Sequence, residues 1–250
     1  MLINLPGLSL PRIGSTVTPG AGPASPTQPT DVAGLFGWWS TDVLYGLGYR
    51  LGDSIKTLSD KSGNGRDFVS PSTGALYDPG GLKGYPYLLC GGLVGYYQNV
   101  ASFAALTAGH AFMVVRQYSD PPVPPDEGLW NFGALAAGTG DVYPSFVDGH
   151  VYLSFLTNTL EDCGDWADDL GAWHILEVYA ETNNMRAYYN STSRFNTAVY
   201  TIAAPTYPLL AARYPVVPAA IRFHELLLFD HVLSAGDQTL MRDYLAGKYF

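Results

Sequence analysis

The order of apolar and polar positions from residue 34 onward predicts short strands separated by turns. Leu35–Trp39 predicts the opening strand, and Ile221–Phe229, with its nearly continuous apolar core, predicts the last. Ala111–Val115 is apolar at every position, as a strand buried on both faces would be. Because the strands do not alternate with long helices, the pattern predicts an all-β, two-sheet antiparallel sandwich.

Turn signals between these runs indicate where the chain reverses. Asp148–Gly149 and Asn183–Asn184 predict two hairpins, the second between Trp173–Ala180 and Met185–Tyr189. Asp60–Gly65 (DKSGNG) predicts a compact turn, since its Asp and Asn side chains can bond nearby amides and its glycines accept positive φ.

A short helix is predicted at the C-terminal end. Ser234 is a suitable N-cap, and Asp237 can complete a capping box. The apolar stripe predicted to dock on a sheet comprises Leu240, Met241, Tyr244 and Leu245.

Residues 1–33 differ from residues 34–250, and we interpret them as an extended Pro-rich N-terminal arm. Thr16–Thr30 predicts a polyproline-like spacer. An apolar head precedes the spacer and contains Leu2, Ile3, Leu5, Leu8, Leu10 and Ile13. This head is either a disordered end or a segment that orders on a partner.

Composition narrows the possible partners and compartments. The chain has 250 residues, 47% hydrophobic, with a net charge of −9 and no run of Lys or Arg, which disfavours nucleic acid and anionic membranes. Asn4 and Pro6 interrupt what would be the apolar core of a signal peptide, and no membrane-spanning run occurs. Cys90 and Cys163 are interpreted as buried thiols, with one disulfide as the alternative.

Four segments resemble the laminin-G-like, concanavalin A-like jelly-roll domains of bacteriophage and bacterial surface proteins. They are GLFGWWSTD, LSDKSGNGRDF, AWHILEVY and HELLLFDHVLSAGDQTLMRDYLAGKYF, in that order, across residues 34–250. The resemblance implies a jelly-roll sandwich closed by pairing of the first and last strands, and it implies little about activity. The sequence departs from the family pattern in two places. It has Asn190-Ser-Thr where many relatives have Asn-Gly in a hairpin, and it has a long Pro-rich loop at Ser119–Glu127.

No pattern of carboxylates indicates a glycosidase. Retaining glycosidases hold two carboxylic acids about 5 Å apart. Glu177 and Glu181 lie too far apart along one predicted strand to form such a pair, and Glu225 is the only acidic residue on its predicted strand. We expect Glu225 to be satisfied by backbone or by an arginine such as Arg222. The five histidines (His110, His150, His174, His224 and His231) show no metal spacing. The sequence therefore predicts no enzyme.

The acidic segment EDCGDWADDLG is the densest polar cluster. Asp165, Asp168 and Asp169 could bind Ca²⁺, although a solvated acidic loop is the alternative. Trp166 within it and Trp130 could stack on sugar rings, or they could be packing aromatics.

These observations favour a non-enzymatic virion structural protein, a capsid decoration or a head or tail fibre component. Residues 1–30 would bind a capsid or fibre protein, the sandwich would project from the virion surface after cytoplasmic synthesis, and trimers are possible. The alternative is a glycan-binding adhesin domain that recognises a host surface glycan, with Ca²⁺ as a possible cofactor.

Overall fold

The computed structural model describes residues 27–90, 95–99, 101–117, 128–132, 150–157, 159–166, 171–204, 208–213, 217–218 and 220–250. The strands are β1 Leu35–Ser40, β2 Ser54–Ile55, β3 Thr57–Leu58, β4 Phe68–Val69, β5 Ala75–Asp78, β6 Tyr87–Cys90, β7 Tyr97–Asn99, β8 Ala108–Gln117, β9 Trp130–Asn131, β10 His150–Leu153, β11 Glu161–Asp165, β12 His174–Glu181, β13 Asn184–Tyr189, β14 Thr192–Thr197, β15 Leu209–Leu210, β16 Ala212–Arg213, β17 Val217–Pro218 and β18 Ile221–Phe229. One α-helix, α1, spans Ala235–Tyr249, and 3₁₀ turns span Pro29–Asp31, Thr41–Leu44 and Leu82–Gly84.

The strands form an antiparallel sandwich. The large sheet has the order β14-β13-β12-β8-β18-β6-β5-β2, with β1 also paired to β18, and the second sheet has the order β3-β4-β7-β15-β9. Two ribbons, β10-β11 and β16-β17, complete the described strands. The predicted jelly-roll sandwich with a C-terminal helix is confirmed, and its first and last strands pair with Trp38 opposite Leu227.

The large sheet is apolar on both faces because each face is covered. Met113 and Leu226 point into the core between the two sheets. Their neighbours Phe112 and Leu227 belong to a second core, which lies under α1. The continuous apolar runs of β8 and β18 follow from this double burial.

Helix α1 begins as predicted and docks through three of the four residues of the predicted stripe. The Ser234 hydroxyl accepts a hydrogen bond from the Asp237 amide at 3.2 Å, which is the expected N-cap. The buried residues are Met241, Leu245 and Tyr249, spaced four apart, whereas Leu240 is exposed. The predicted stripe was therefore wrong at Leu240, because it was placed about one residue too early around the helix.

The predicted turns that fall within the described residues are confirmed. Asp60 accepts hydrogen bonds from the amides of Ser62 at 2.9 Å and Arg66 at 3.0 Å. Asn183 adopts φ 63° in the β12-β13 hairpin. At the next hairpin Asn190 and Ser191 adopt φ 45° and 67°, so this turn takes left-handed backbone without glycine. Asp148–Gly149 and Ser119–Glu127 lie outside the described residues.

The packed domain begins before residue 34. Pro29–Asp31 forms a 3₁₀ turn instead of extended spacer, and Val32 is buried in the core under α1. The apolar head of the arm lies outside the described residues. Cys90 and Cys163 are buried and are not joined in a disulfide, as predicted, and burial raises the pKa of Cys90 to about 12. Within the described ranges, no helix is long and apolar enough to cross a membrane.

Candidate functional site

A β-bulge in β18 places two polar residues under α1. The pairing of β18 with β8 shifts between Phe223 and Glu225, which leaves His224 as the extra residue. Phe223 lies in the core between the sheets, whereas Glu225 bonds to side chains of α1 and His224 contacts the ring of Tyr249. The bulge therefore directs both polar side chains toward the helix.

Glu225 is fully buried and is the centre of a hydrogen-bonded group that we call the Glu225 cluster. Its carboxylate accepts bonds from Trp38 Nε1 at 2.5 Å, Tyr244 Oη at 2.9 Å, Tyr249 Oη at 2.6 Å and Lys248 Nζ at 2.7 Å. The cluster comprises these five side chains. The expectation that backbone or an arginine satisfies Glu225 was wrong, because the bulge turns this carboxylate onto the helix face.

A cleft of about 410 Å³ opens above this cluster, between α1 and the edge of the large sheet. We call it the helix cleft. It is lined by Gln28, Trp38, Asp42, Lys61, Tyr85, Asp243, Tyr244, Gly247 and Lys248.

The charged groups of the helix cleft are held by mutual ion pairs. Lys248 Nζ lies 2.8 Å from Asp42 Oδ2 and 2.7 Å from Glu225 Oε2. Lys61 Nζ lies 2.8 Å from both carboxylate oxygens of Asp42 and 3.9 Å from the centre of the Trp38 ring. Burial raises the pKa of Asp42, but the two lysines outweigh it and keep that pKa below its usual value. Asp42 is therefore charged at neutral pH.

Two polar groups in the cleft have no partner among the described residues. The Tyr85 side chain is half-buried, and its hydroxyl makes no hydrogen bond within the described part of the chain. The Asp243 carboxylate is exposed on α1 and likewise has neither a hydrogen bond nor an ion pair there. Ordered walls with a few open polar groups are typical of binding sites.

A second polar group fastens the middle of α1 and the segment just before it to the sheet. Arg242 donates from Nε to Glu177 Oε2 at 2.6 Å and from a terminal nitrogen to Oε1 at 2.8 Å. His110 Nδ1 accepts from the Leu233 amide at 3.3 Å, so its Nε2 carries the proton donated to Glu177 at 3.0 Å. Burial lowers the pKa of His110, which fits this neutral tautomer.

His224 is enclosed by aromatic rings. Its ring centre lies 4.4 Å from that of Trp173 and 4.9 Å from that of Tyr249, and its Nε2 accepts from the Leu82 amide at 3.3 Å. Burial lowers its pKa to about 3, and the nearby charge of Lys248 contributes in the same direction. The aromatic surroundings of His224 could not be predicted from the sequence, because His224 faces the helix only through the bulge.

The predicted site residues do not meet at one place. Trp130 is fully buried and Trp166 is 3% exposed, with its Nε1 bonded to the Cys163 carbonyl at 2.9 Å. Neither ring can therefore stack on a sugar from solvent in this structure, which corrects the proposed stacking role. Asp165 lies on β11, a strand where an acidic loop was expected, while Asp168 and Asp169 lie outside the described residues. In the described ranges no group of three His, Cys, Asp or Glu could hold a metal ion.

A loop next to the helix cleft exposes large side chains. Tyr45, Leu47, Tyr49 and Leu51 follow the 3₁₀ turn that carries Asp42, and they are between 41 and 71% exposed. We call residues 45–51 the tyrosine loop. It is a second surface that could contact a ligand.

No protein-family model matches the chain, and no curated protein matches it. Several solved structures, by contrast, are similar to the chain. Domain 4 of AbnA, a GH43 extracellular arabinanase from Geobacillus stearothermophilus solved with arabinotriose, is similar with TM-score 0.61 and 14% identity, over 84% of this chain and 97% of that one. The binding domain of Paraclostridial Mosquitocidal Protein 1 is similar with TM-score 0.59 and 12% identity, over 86% of this chain and 53% of that one. Trypanosoma rangeli sialidase with the inhibitor DANA is similar with TM-score 0.57 and 12% identity, over 90% of this chain and 36% of that one. The chain thus spans about half of that binding domain and about a third of the sialidase, and at these identities the likeness shows the β-sandwich fold.

Proposed function

We propose that this domain is a non-catalytic glycan-binding module and that the helix cleft holds the sugar. The observation that carries the proposal is the cleft itself, in which ion-paired side chains of fixed position surround two open polar groups, Tyr85 and Asp243. The resemblance in fold to an arabinanase domain solved with arabinotriose supports the same ligand class.

The size and chemistry of the helix cleft suit one or two sugar units. A sugar presents hydroxyl groups around an apolar ring, and it is bound by polar groups held in place beside aromatic surfaces. Tyr85 offers a hydroxyl and part of its ring, and Asp243 offers a carboxylate acceptor. The Glu225 cluster beneath fixes Trp38 and Tyr244, so the sugar would meet walls that are already ordered.

The hydrogen bonds of the buried carboxylate support binding over hydrolysis. Oε1 of Glu225 accepts from Trp38 and Tyr244, and Oε2 accepts from Lys248 and Tyr249. A carboxylate engaged in this way is poorly placed to act as a nucleophile or to exchange a proton with a substrate.

A glycan array, probed with and without Ca²⁺, tests the proposal. We expect hits that weaken at least tenfold, about 1.4 kcal/mol, in Tyr85→Ala. Because the Tyr85 ring also packs against the core under α1, a circular dichroism spectrum must show that the variant is folded at the assay temperature. Tyr49→Ala is the matched control, since it removes a tyrosine from the tyrosine loop instead of the cleft. Binding lost in Tyr49→Ala and kept in Tyr85→Ala would move the site to the loop, and an array without hits would contradict the function. Dependence on Ca²⁺ would support the calcium prediction.

The virion role remains a proposal that rests on the sequence. In it, the apolar head of the arm binds a capsid or fibre protein and the sandwich displays its cleft outward. Removing residues 1–26 keeps every residue of the cleft, including Gln28. The truncated protein should fold and bind glycan as before but fail to join virions, and full incorporation would contradict the anchoring role.

A further inference from the structure

We infer that the helix cleft accepts uncharged or amino sugars and excludes sugars that carry a carboxylate or a sulfate. This inference rests on the proposed glycan-binding function and adds the charge class of the ligand.

The cations of the cleft are already committed to carboxylates of the same chain. Lys61 lies 2.8 Å from both oxygens of Asp42, and Lys248 bridges Asp42 and Glu225 at 2.8 and 2.7 Å. Lys248 is only 9% exposed and also donates to the Tyr244 hydroxyl at 3.1 Å. An acidic sugar that recruited either lysine would take a charged partner away from a carboxylate of the protein, and for the buried Glu225 the loss of Lys248 is costly.

The open charge in the cleft is negative. Asp243 is exposed and unpaired among the described residues, whereas both lysines that line the cleft are paired. Among the charged side chains of the cleft and of the Glu225 cluster beneath it, the two ammonium groups are matched by Asp42 and Glu225, so Asp243 adds one excess negative charge. Lys83, whose Nζ donates to the Gly247 carbonyl at 3.0 Å, lies beside the cleft and outside this count. An anionic ligand would meet this carboxylate at close range, and an amino group would be attracted to it.

The net charge of the whole chain is negative, like the charge of Asp243 in the cleft. A net charge of −9 adds a weaker long-range repulsion of anions, which salt screens beyond about 10 Å at 0.1 M. The repulsion by Asp243 and the repulsion by the net charge of the chain both disfavour acidic glycans. An experiment must therefore separate the two effects.

Three sugars that differ mainly in charge provide the test: glucose, glucosamine and glucuronate, with the galactose series run in parallel. Their affinities are measured by NMR titration, following the Trp38 indole and the Gly247 amide, which report from the cleft. We expect the neutral and amino sugars to bind roughly tenfold or more tightly than the acid at low salt. Asp243→Lys should abolish or reverse this preference.

Glu181→Lys is the matched control. It makes the same change in net charge at an exposed residue that does not line the cleft. The inference is overturned if the wild-type protein binds the acids as well as the neutral sugars, or if Glu181→Lys changes the preference as much as Asp243→Lys. If none of the six sugars shifts either signal, the proposed function itself fails, and this inference fails with it.

Discussion

Acidification should destabilise this protein through His224, by an amount that the structure allows us to work out. Burial lowers the pKa of His224 from 6.5 to about 3, so the folded protein keeps this ring neutral while the unfolded chain binds a proton near pH 6.5. Between these values the unfolded state binds more protons, so stability falls as the pH drops. Each pH unit costs about 1.4 kcal/mol, so at pH 5 the loss from His224 is about 2 kcal/mol.

Urea unfolding at pH 7, 6 and 5, followed by tryptophan fluorescence, measures this loss. His224→Gln will change the stability at every pH, since it removes a ring packed against Trp173 and Tyr249. The informative quantity is the pH dependence, which should be smaller in the variant than in the wild type by about 2 kcal/mol between pH 7 and 5. His110 contributes in the same direction in both proteins and cancels in the comparison. Equal pH dependence in the wild type and His224→Gln would refute the reasoning.

Four further substitutions, the last two compared with each other, test other parts of the structure by chemical denaturation. Glu225→Gln should lower the free energy of unfolding by about 3 kcal/mol, because an amide nitrogen would replace a buried oxygen that accepts from two donors and Lys248 would keep only Asp42 as a charged partner. A loss below about 1 kcal/mol would show that the cluster contributes little to stability. Arg242→Met should cost about 3 kcal/mol at pH 7, since it leaves a buried carboxylate with His110 as its remaining partner, and a neutral effect would contradict this role. Gly74→Ala should lower the free energy of unfolding clearly more than Gly63→Ala. Both glycines have positive φ, which costs alanine about 1 kcal/mol, but only at residue 74 would the new Cβ lie 2.3 Å from a backbone carbonyl oxygen. Equal losses of stability in the two glycine variants would mean that the backbone near residue 74 can shift to accommodate a Cβ at little cost.

The elements set by local signals could be predicted from the sequence. The turn at Asp60, the helix start at Ser234 and the last strand Ile221–Phe229 each depend on neighbours a few residues away. Leu240 was misplaced because Leu240 and Met241 are adjacent, so the apolar pattern alone does not decide which of them faces the sheet.

The candidate site could not be predicted, because its residues are far apart in sequence and a single bulge brings them together. Trp38 and Glu225 are 187 positions apart, and their contact depends on the extra residue His224. Nothing in the run HELLLF marks that residue as a bulge. Trp166 was misplaced for a related reason, since its acidic neighbours indicated an exposed loop while the ring turns inward to the Cys163 carbonyl.

The pairing of β1 with β18 also determines how this domain would respond to mechanical force. The start of β1 lies beside the end of β18, where the Asp230 amide bonds to the Gly34 carbonyl at 2.9 Å. Tension between these two points would open the ladder one hydrogen bond at a time, which resists force less well than sliding the strands past each other. Resistance would then depend on the Glu225 cluster, which ties Trp38 on β1 to β18 and α1. A domain loaded at these two points would therefore resist opening through this buried carboxylate and its donors, together with the ion pair between Lys248 and Asp42.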